Sequence, residues 1–251
     1  MVRILLHGCC GRMGHMITET AAKDEDIAIV AGVDAFGAAY STYPVYASLS
    51  EVTEEFDVVV DFSTAKAVDG LLEWCAAGGH PVVVCTTGLS ADQTAHLRDA
   101  ALRTAVLKSA NMSVGINLLL NVLSEVAPKL IEAGYDCEIV ERHHNQKLDA
   151  PSGTAIALAD AVNDSLEEPL DYVYDRSGRR QARPHAEIGI SAVRGGTIVG
   201  DHDIIFAGQD EVITFSHTAY SRALFATGAI TAAKFLAGKG AGFYTMQDAL
   251  A

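Results

Sequence analysis

Within one short stretch, Glu141 to Thr154, the chain reads Glu-Arg-His-His-Asn-Gln-Lys-Leu-Asp-Ala-Pro-Ser-Gly-Thr, so two adjacent histidines and a lysine stand beside a Ser-Gly-Thr helix start. Imidazole gives or takes a proton near neutral pH, and an ammonium group adds positive charge or a second proton. His143, His144 and Lys147 therefore suit addition to an acidic, unsaturated substrate. Ser152 reads as the N-cap of a helix running from Thr154 to Asn163, which leaves the amides of Gly153 and Thr154 facing whatever precedes that helix. Such an end favours carboxylate or phosphate, and a glycine there removes the side chain that blocks close approach, so Ser152, Gly153 and Thr154 are expected to bind a substrate carboxylate. Taken singly, each residue has an ordinary use as strand-end histidine, solvated lysine or capping serine. Their convergence points to chemistry.

A second constellation opens the chain. Arg3 to His7 reads as a buried strand running into Gly8-Cys9-Cys10-Gly11-Arg12-Met13-Gly14, then a helix from Met16 to Ala22 and a buried strand from Ile27 to Val33 that ends at Asp34. Glycines so placed let a chain turn tightly, approach a pyrophosphate and pack helix on strand. The spacing is GxxGxxG rather than GxGxxG, with Cys10 at the usual close-approach glycine. Asp34 is expected to accept hydrogen bonds from adenine-ribose hydroxyls and to repel a 2′-phosphate, and Ala35 and Phe36 bring no arginine to offset it. NADH is therefore expected over NADPH, although Arg12 could reach a 2′-phosphate from the turn and keeps NADPH possible. Cys85-Thr86-Thr87-Gly88 and Ser109-Ala110-Asn111-Met112 each follow a strand, so both loops are expected to line the cofactor crevice.

These groups need elements to position them. Strands at Val58 to Phe62, Pro81 to Cys85 and Ala105 to Lys108 alternate with helices at Val68 to Ala77, Ala91 to Leu102 and Val114 to Ile131. That alternation predicts α/β architecture, a Rossmann-type doubly wound parallel sheet. After it come a strand from Cys137 to Arg142, a helix from Thr154 and three successive runs, Glu187 to Arg194, Thr197 to Phe206 and Glu211 to His217. Consecutive strands predict a mixed or antiparallel sheet in a second, α+β domain, the mixed form being expected, and Ala223 to Leu236 returns to helix. The basic stretch Arg176 to Arg183 reads as a solvated connector.

Composition narrows the functional classes. With 49% hydrophobic residues the chain has material for a real core, and 32 acidic against 18 basic residues leave a net charge of −14. That balance opposes binding to nucleic acid or anionic membrane, so an anionic substrate requires local positive charge. Cys9, Cys10, Cys75, Cys85 and Cys137 form no CxxC pair and no metal-ligand spacing with the histidines, which predicts reduced thiols and no metal. The N-terminus lacks a signal-peptide pattern and no stretch reads as reaching transmembrane length, so a cytoplasmic protein is expected.

The quoted motifs resemble those of the 4-hydroxy-tetrahydrodipicolinate reductase family, also called dihydrodipicolinate reductases, over essentially the whole chain. The likeness extends through Ala110-Asn111-Met112-Ser113-Val114-Gly115, Val193-Arg194-Gly195-Gly196-Thr197-Ile198-Val199-Gly200 and Ser221-Arg222, and the run His143-His144-x-x-Lys147-x-Asp149-Ala150-Pro151-Ser152-Gly153-Thr154 is specific to that family. The resemblance implies NAD(P)H-dependent reduction of a cyclic dicarboxylate to tetrahydrodipicolinate, with loss of water, in lysine and diaminopimelate biosynthesis. It further implies His143 as catalytic proton donor with Lys147 as partner acid, and His144 with Gly153 and Thr154 as substrate contacts. Gly8, Cys9, Cys10, Gly11, Arg12, Met13, Asp34, Thr86, Thr87, Ala110, Asn111 and Met112 are implied as cofactor contacts; Met112 stands where many members carry an aromatic residue. The dinucleotide domain is then residues 1–113 and 222–251, and the substrate-binding and oligomerisation domain is 114–221, in a homotetramer. Read from the residues alone, either His143 or Lys147 can deliver the proton, and closure of the two domains is expected to join the reactants. Two other readings fit less: a non-catalytic NAD(H)-binding sensor, which His143 and Lys147 argue against, and a reductase for another imine or carbonyl.

Overall fold

A computed structural model describes residues 1–35, 42–109 and 111–251; Phe36 and Ala110, named above, lie outside them. The chain opens with β1 (Val2–His7), α1 (Arg12–Ala21), β2 (Ile27–Val33), β3 (Val45–Tyr46), β4 (Val58–Asp61), α2 (Ala65–Gly78), β5 (Val82–Val84), α3 (Ala91–Ala101) and β6 (Ala105–Lys108). It continues with α4 (Val114–Glu132), β7 (Asp136–His143), α5 (Gly153–Asn163), β8 (Asp171–Val173), β9 (Glu187–Arg194), β10 (Gly200–Ala207) and β11 (Val212–Ala219). It ends with α6 (Ala223–Leu236), β12 (Gly242–Tyr244) and α7 (Met246–Leu250). Two compact units result, Met1–Val114 with Arg222–Ala251, and Gly115–Ser221.

The first unit is the doubly wound sheet expected from the alternation. Its seven strands run in the order β12-β6-β5-β4-β1-β2-β3, and each neighbouring pair is parallel. Successive residues of a strand point to opposite faces. Accordingly Ile4, Leu6, Val58, Val60, Val83 and Leu107 pack with α1 and α6, while Leu5, Val59, Val82, Val84 and Val106 pack with α2 and α3. Both faces are covered, which is why these strands read as unbroken Val and Leu runs.

The second unit is the expected mixed sheet, ordered β11-β10-β7-β9-β8. β10 lies antiparallel between β7 and β11, whereas β7–β9 and β9–β8 are parallel. Cys137, Ile139, Ile190, Ile204 and Phe206 form one apolar face against Ile116, Leu123 and Ala127 of α4 and Ala155, Leu158 and Val162 of α5.

Several local expectations change. α1 starts at Arg12 rather than Met16, so Gly14 sits inside its first turn. The run from Thr197 becomes strand only at Gly200, because Gly196 turns the chain with φ +49°. The short β3, β8, β12 and α7 escaped the reading, since two to five residues carry no usable period. The basic connector is not merely solvated. Arg176 bonds Glu138 at 2.8 Å and Glu187 at 3.3 Å, Arg183 bonds Asp136 at 2.7 Å and Glu138 at 2.8 Å, and Arg179 also pairs with Glu187. Crowding three carboxylates on β7 and β9 calls for these cations. By length and composition alone, α4 does reach membrane-spanning size at 19 residues and mean hydropathy 1.4 over its most apolar window, but it lays Ile116, Leu123 and Ala127 into the core of the second unit.

A Cβ at Gly14 would collide with the backbone carbonyl of Cys9, whereas one at the exposed Gly240 would meet nothing within 4 Å. Gly14→Ala should lower unfolding free energy by about 1–3 kcal/mol and Gly240→Ala should change it little, as read by urea denaturation. Equal midpoints for the two variants would show that α1 can move away from the turn at no cost.

Candidate active site

Strand alternation puts Glu141 and His143 on the same face of β7, and the register sets His143 opposite Arg194 of β9. The Glu141 carboxylate is fully buried. Its Oε2 accepts from His143 Nδ1 at 2.7 Å and Arg194 Nη1 at 2.6 Å, and its Oε1 accepts from Arg194 Nη2 at 2.7 Å and the Ser152 amide at 2.9 Å. Burial pushes the carboxyl pKa up, but the bonds from Arg194, His143 and the Ser152 amide outweigh it and hold the group below its ordinary value. An ionised carboxylate only accepts, so His143 carries its hydrogen on Nδ1 and Nε2 is the nitrogen free to exchange a proton with a ligand. A Cβ at Gly200 would stand 3.0 Å from that Nε2, so glycine keeps the nitrogen uncovered.

Ser152 is the N-cap of α5 as expected, its Oγ accepting from the Ala155 amide at 3.1 Å. It is also buried, with its amide given to Glu141 and its hydroxyl 3.1 Å from His202 Nε2. These bonds fix Ser152 firmly within the site. Gly153 remains open, with no atom within 4 Å of where its Cβ would be. The carboxylate of Asp149 lies 2.9 Å from Lys147 Nζ. Burial raises the Asp149 pKa, yet the bonds from Lys147 and from backbone amides, Gly153 among them, keep it below the ordinary range. The lysine and the helix start therefore already hold a carboxylate, the chain's own. His144 is half-buried in the same loop, which is pinned by Gly195 N–H to His143 O at 2.9 Å and Asn145 N–H to Gly196 O at 3.2 Å.

Two further histidines join this site without having been anticipated. Register aligns Glu141, His202 and His217 across β7, β10 and β11. The His202 ring stands edge-on to His143 at 5.2 Å and lies 6.5 Å from His217. Burial, then the neighbouring His143, brings His202 down to about 4, so it stays neutral at neutral pH and adds no second cation beside His143. The signal lay in the alternation of Gly-Asp-His-Asp-Ile and Phe-Ser-His-Thr, which turns both histidines toward the same side as the core residues.

In the first unit, Gly8 has φ +79° and a Cβ there would stand 2.6 Å from the Phe62 carbonyl, so its glycine is required twice over. Gly11 is the N-cap of α1 but gives it no side-chain bond, and the first turn carries no acidic residue. Such a helix end accepts a pyrophosphate. Asp34 is drawn to the turn, its Oδ2 accepting from the Cys10 amide at 3.0 Å. The switch between β1 and β4 is held by buried Asp61, which accepts from His7 Nδ1 at 2.8 Å, the Ser63 amide at 3.1 Å and Thr86 Oγ1 at 2.7 Å. Burial raises the Asp61 pKa and these bonds more than reverse it.

The remaining expected cofactor residues fall into two groups. Arg12, Met13 and Cys10 line a cavity of about 510 Å³ with His15, Met16 and Arg222, and Thr87 is exposed after β5. Cys9, Cys85 and Met112 instead send their side chains into the core, and Thr86 spends its hydroxyl on Asp61. Ser109 Oγ donates to the Asn111 carbonyl at 2.8 Å, and Asn111 Oδ1 accepts from the Ser113 amide at 2.8 Å, so that loop is braced from within. These residues can offer a dinucleotide mainly their backbone. Together the turn, the uncapped helix, the acidic residue after β2 and the switch point fit a nicotinamide dinucleotide. A larger cavity of about 750 Å³, among Tyr135, His185 and Gly208 to Glu211, lies at the other end of β7 and contains none of these groups.

Residues 2–112 match the family model for the dihydrodipicolinate reductase N-terminus and residues 115–250 that for its C-terminus. The chain belongs to the dihydrodipicolinate reductase family. It is 50% identical over 248 residues to the 4-hydroxy-tetrahydrodipicolinate reductase of Caldanaerobacter subterraneus subsp. tengcongensis, covering 99% of this chain and 98% of that one. A Clostridium botulinum relative of the same name is 46% identical over 252 residues, covering 100% and 98%. Among solved structures, the dipicolinate-bound dihydrodipicolinate reductase of Paenisporosarcina sp. TG-14 superposes with TM-score 0.80 at 26% identity, over 100% of both chains. A myo-inositol dehydrogenase of Corynebacterium glutamicum, at TM-score 0.62 and 16% identity, shares the fold.

His202 also sets a pH dependence. Its ordinary pKa is 6.5 and its folded value about 4, so below 6.5 the unfolded chain takes up a proton that the folded chain refuses. Its contribution to stability is whole above 6.5 and is lost as pH falls toward 4. His202→Asn should therefore flatten the fall in melting temperature between about pH 7 and about pH 5. An undiminished fall would assign that window to other groups.

Proposed function

We propose that this chain reduces 4-hydroxy-tetrahydrodipicolinate to tetrahydrodipicolinate with NAD(P)H, a step in lysine and diaminopimelate biosynthesis. The observation that carries the reading is the Glu141-oriented imidazole of His143 in the same unit and loop as a cradle that already grips a carboxylate, formed by Lys147 and the start of α5. Membership of the family supports it, as does the dipicolinate bound to the relative from Paenisporosarcina, a planar ring diacid. Nothing favours the sensor reading, since His143 keeps both its orienting partner and the space over Gly200.

The nicotinamide, when bound, supplies hydride. The Gly8 to Met13 turn and the N-terminus of α1 hold the pyrophosphate, Asp34 the ribose, and the backbone of Thr86, Thr87, Asn111 and Met112 the remainder of the cofactor. Lys147, His144 and the amides of Gly153 and Thr154 hold a ring carboxylate in place of Asp149. His143 Nε2 gives a proton to the carbon beside the one that receives hydride, and Glu141 steadies the imidazolium before that transfer. The substrate hydroxyl leaves as water together with a hydrogen from the adjacent ring carbon, before the hydride arrives, and that adjacent carbon is the one His143 then protonates. With Nδ1 committed to Glu141, His143 is the proton donor and Lys147 supplies the field that draws the diacid.

Asp34 favours NADH by charge, and Arg12, lining one cavity with Arg222, is the group that admits NADPH. A homotetramer built on the outer face of the mixed sheet, where Val212, Thr214, Ser216 and Thr218 of β11 are exposed, completes the reading, in the cytoplasm.

The test is NAD(P)H oxidation coupled to the synthase that makes the substrate. His143→Gln should lower kcat by about a hundredfold or more while NADH affinity stays nearly constant. Comparable losses in both would remove His143 from the proton step. Asp34→Ala should narrow the ratio of kcat/KM for NADH over NADPH, and an unchanged ratio would take the ribose off Asp34.

A further inference from the structure

The glycine turn carries two adjacent thiols, and β2 delivers a carboxylate to them. Cys9 Sγ and Cys10 Sγ lie 3.8 Å apart, and with an oxygen of Asp34 they form a set of three donor atoms all within 4.8 Å of one another. We propose that Cys9, Cys10 and Asp34 bind a thiophilic divalent cation of the Zn²⁺ or Cd²⁺ class, and that its binding takes Asp34 away from the cofactor. The competition rests on the dinucleotide reading of the turn; the cation site does not.

Geometry is the first support. In a tetrahedral centre with metal–sulfur bonds of about 2.3 Å, two sulfurs stand about 3.8 Å apart, and a carboxylate oxygen at about 2.0–2.2 Å stands about 3.5 Å from each. The sulfur pair already has that separation, and the carboxylate, within 4.8 Å of both sulfurs, has at most about 1.3 Å to close. Rigidity is the second. A Cβ at Gly32 would stand 2.6 Å from Cys9 Sγ, so this thiol is packed directly on the β2 backbone. Asp34 is tied to the turn through the Cys10 amide at 3.0 Å. Cys9 is buried, while Cys10 and Asp34 are half-exposed.

The chemistry suits soft metals, because two thiolates and one carboxylate select them over Mg²⁺ or Ca²⁺. Binding forms two metal–sulfur bonds and releases the two thiol protons to solvent, with no change of oxidation state. Because two thiol protons are released, uptake tightens as pH rises. Cys75, Cys85 and Cys137 are buried and outside any disulfide, but among the described residues none joins such a group.

The full chain, reduced and free of nucleotide, is titrated with Cd²⁺ while the ultraviolet thiolate-to-cadmium absorption is followed. One Cd²⁺ per chain with the absorption of two thiolates is expected. Cys10→Ser should halve that absorption and weaken binding at least about tenfold; should that variant misfold, Asp34→Asn should keep the absorption and weaken binding. Absence of the absorption, or full absorption in Cys10→Ser, overturns the site. NADH at saturation should raise the apparent dissociation constant for Cd²⁺ at least about tenfold. Cadmium binding as described but indifferent to NADH overturns the competition and the placement of the ribose on Asp34, and leaves the cation site standing.

Discussion

A carboxylate taken out of water costs several kcal/mol unless donors meet it, and in the second unit that carboxylate is Glu141. Four donors answer: two guanidinium nitrogens of Arg194, the imidazole of His143 and the amide of Ser152. They come from β9, from β7 and from the start of α5, so satisfying one charge sets the position of three chain segments. Those segments carry the His143 imidazole and the first turn of α5. The same bonds select the tautomer of His143 and hold the first turn of α5 where its free amides can meet an anion. Arg194 also donates to the Asp149 carbonyl at 2.6 Å, which ties the loop bearing Lys147 to the same centre.

The first unit uses the same device with a different carboxylate. Asp61 closes the ends of β1, β4 and β5 by accepting from His7, Ser63 and Thr86, and Lys108 adds a bond from its ammonium to the Thr86 carbonyl at 2.7 Å. In a parallel sheet the loops beyond the carboxyl ends of the strands have no ladder to order them. A buried acceptor reached from several loops supplies that order, and the glycine turn can then approach the Phe62 backbone closely enough to exclude any side chain at position 8.

Charge explains much of the remaining architecture. A chain with net charge −14 must gather cations where it handles anions. Lys147 stands beside Asp149 at the start of α5, Arg12 and Arg222 line one cavity, and Arg176, Arg179 and Arg183 serve the carboxylates of β7 and β9. Next to His143 the fold does the opposite, keeping His202 neutral by burial so that no second cation stands beside that imidazole.

The sequence by itself determined the class of fold, the glycine turn, the carboxylate after β2 and the His-His-Lys loop with its capped helix, because each is a local pattern: a period of two or of 3.6, a glycine spacing, a cap residue. It could not determine what Glu141, Arg194, Gly200, His202 and Asp61 do, because each acts through a partner brought in by strand register or by a loop distant in the chain. Ser152 shows the division within one residue. Its capping role was legible from Pro-Ser-Gly-Thr, but its burial against Glu141 and His202 was not. The thiol–carboxylate group of Cys9, Cys10 and Asp34 was hidden for the same reason, since parallel pairing of β1 with β2 sets side by side residues 24 apart in sequence. Local patterns follow from the covalent chain, whereas proximity across strands exists only once the hydrophobic faces have packed and chosen a register.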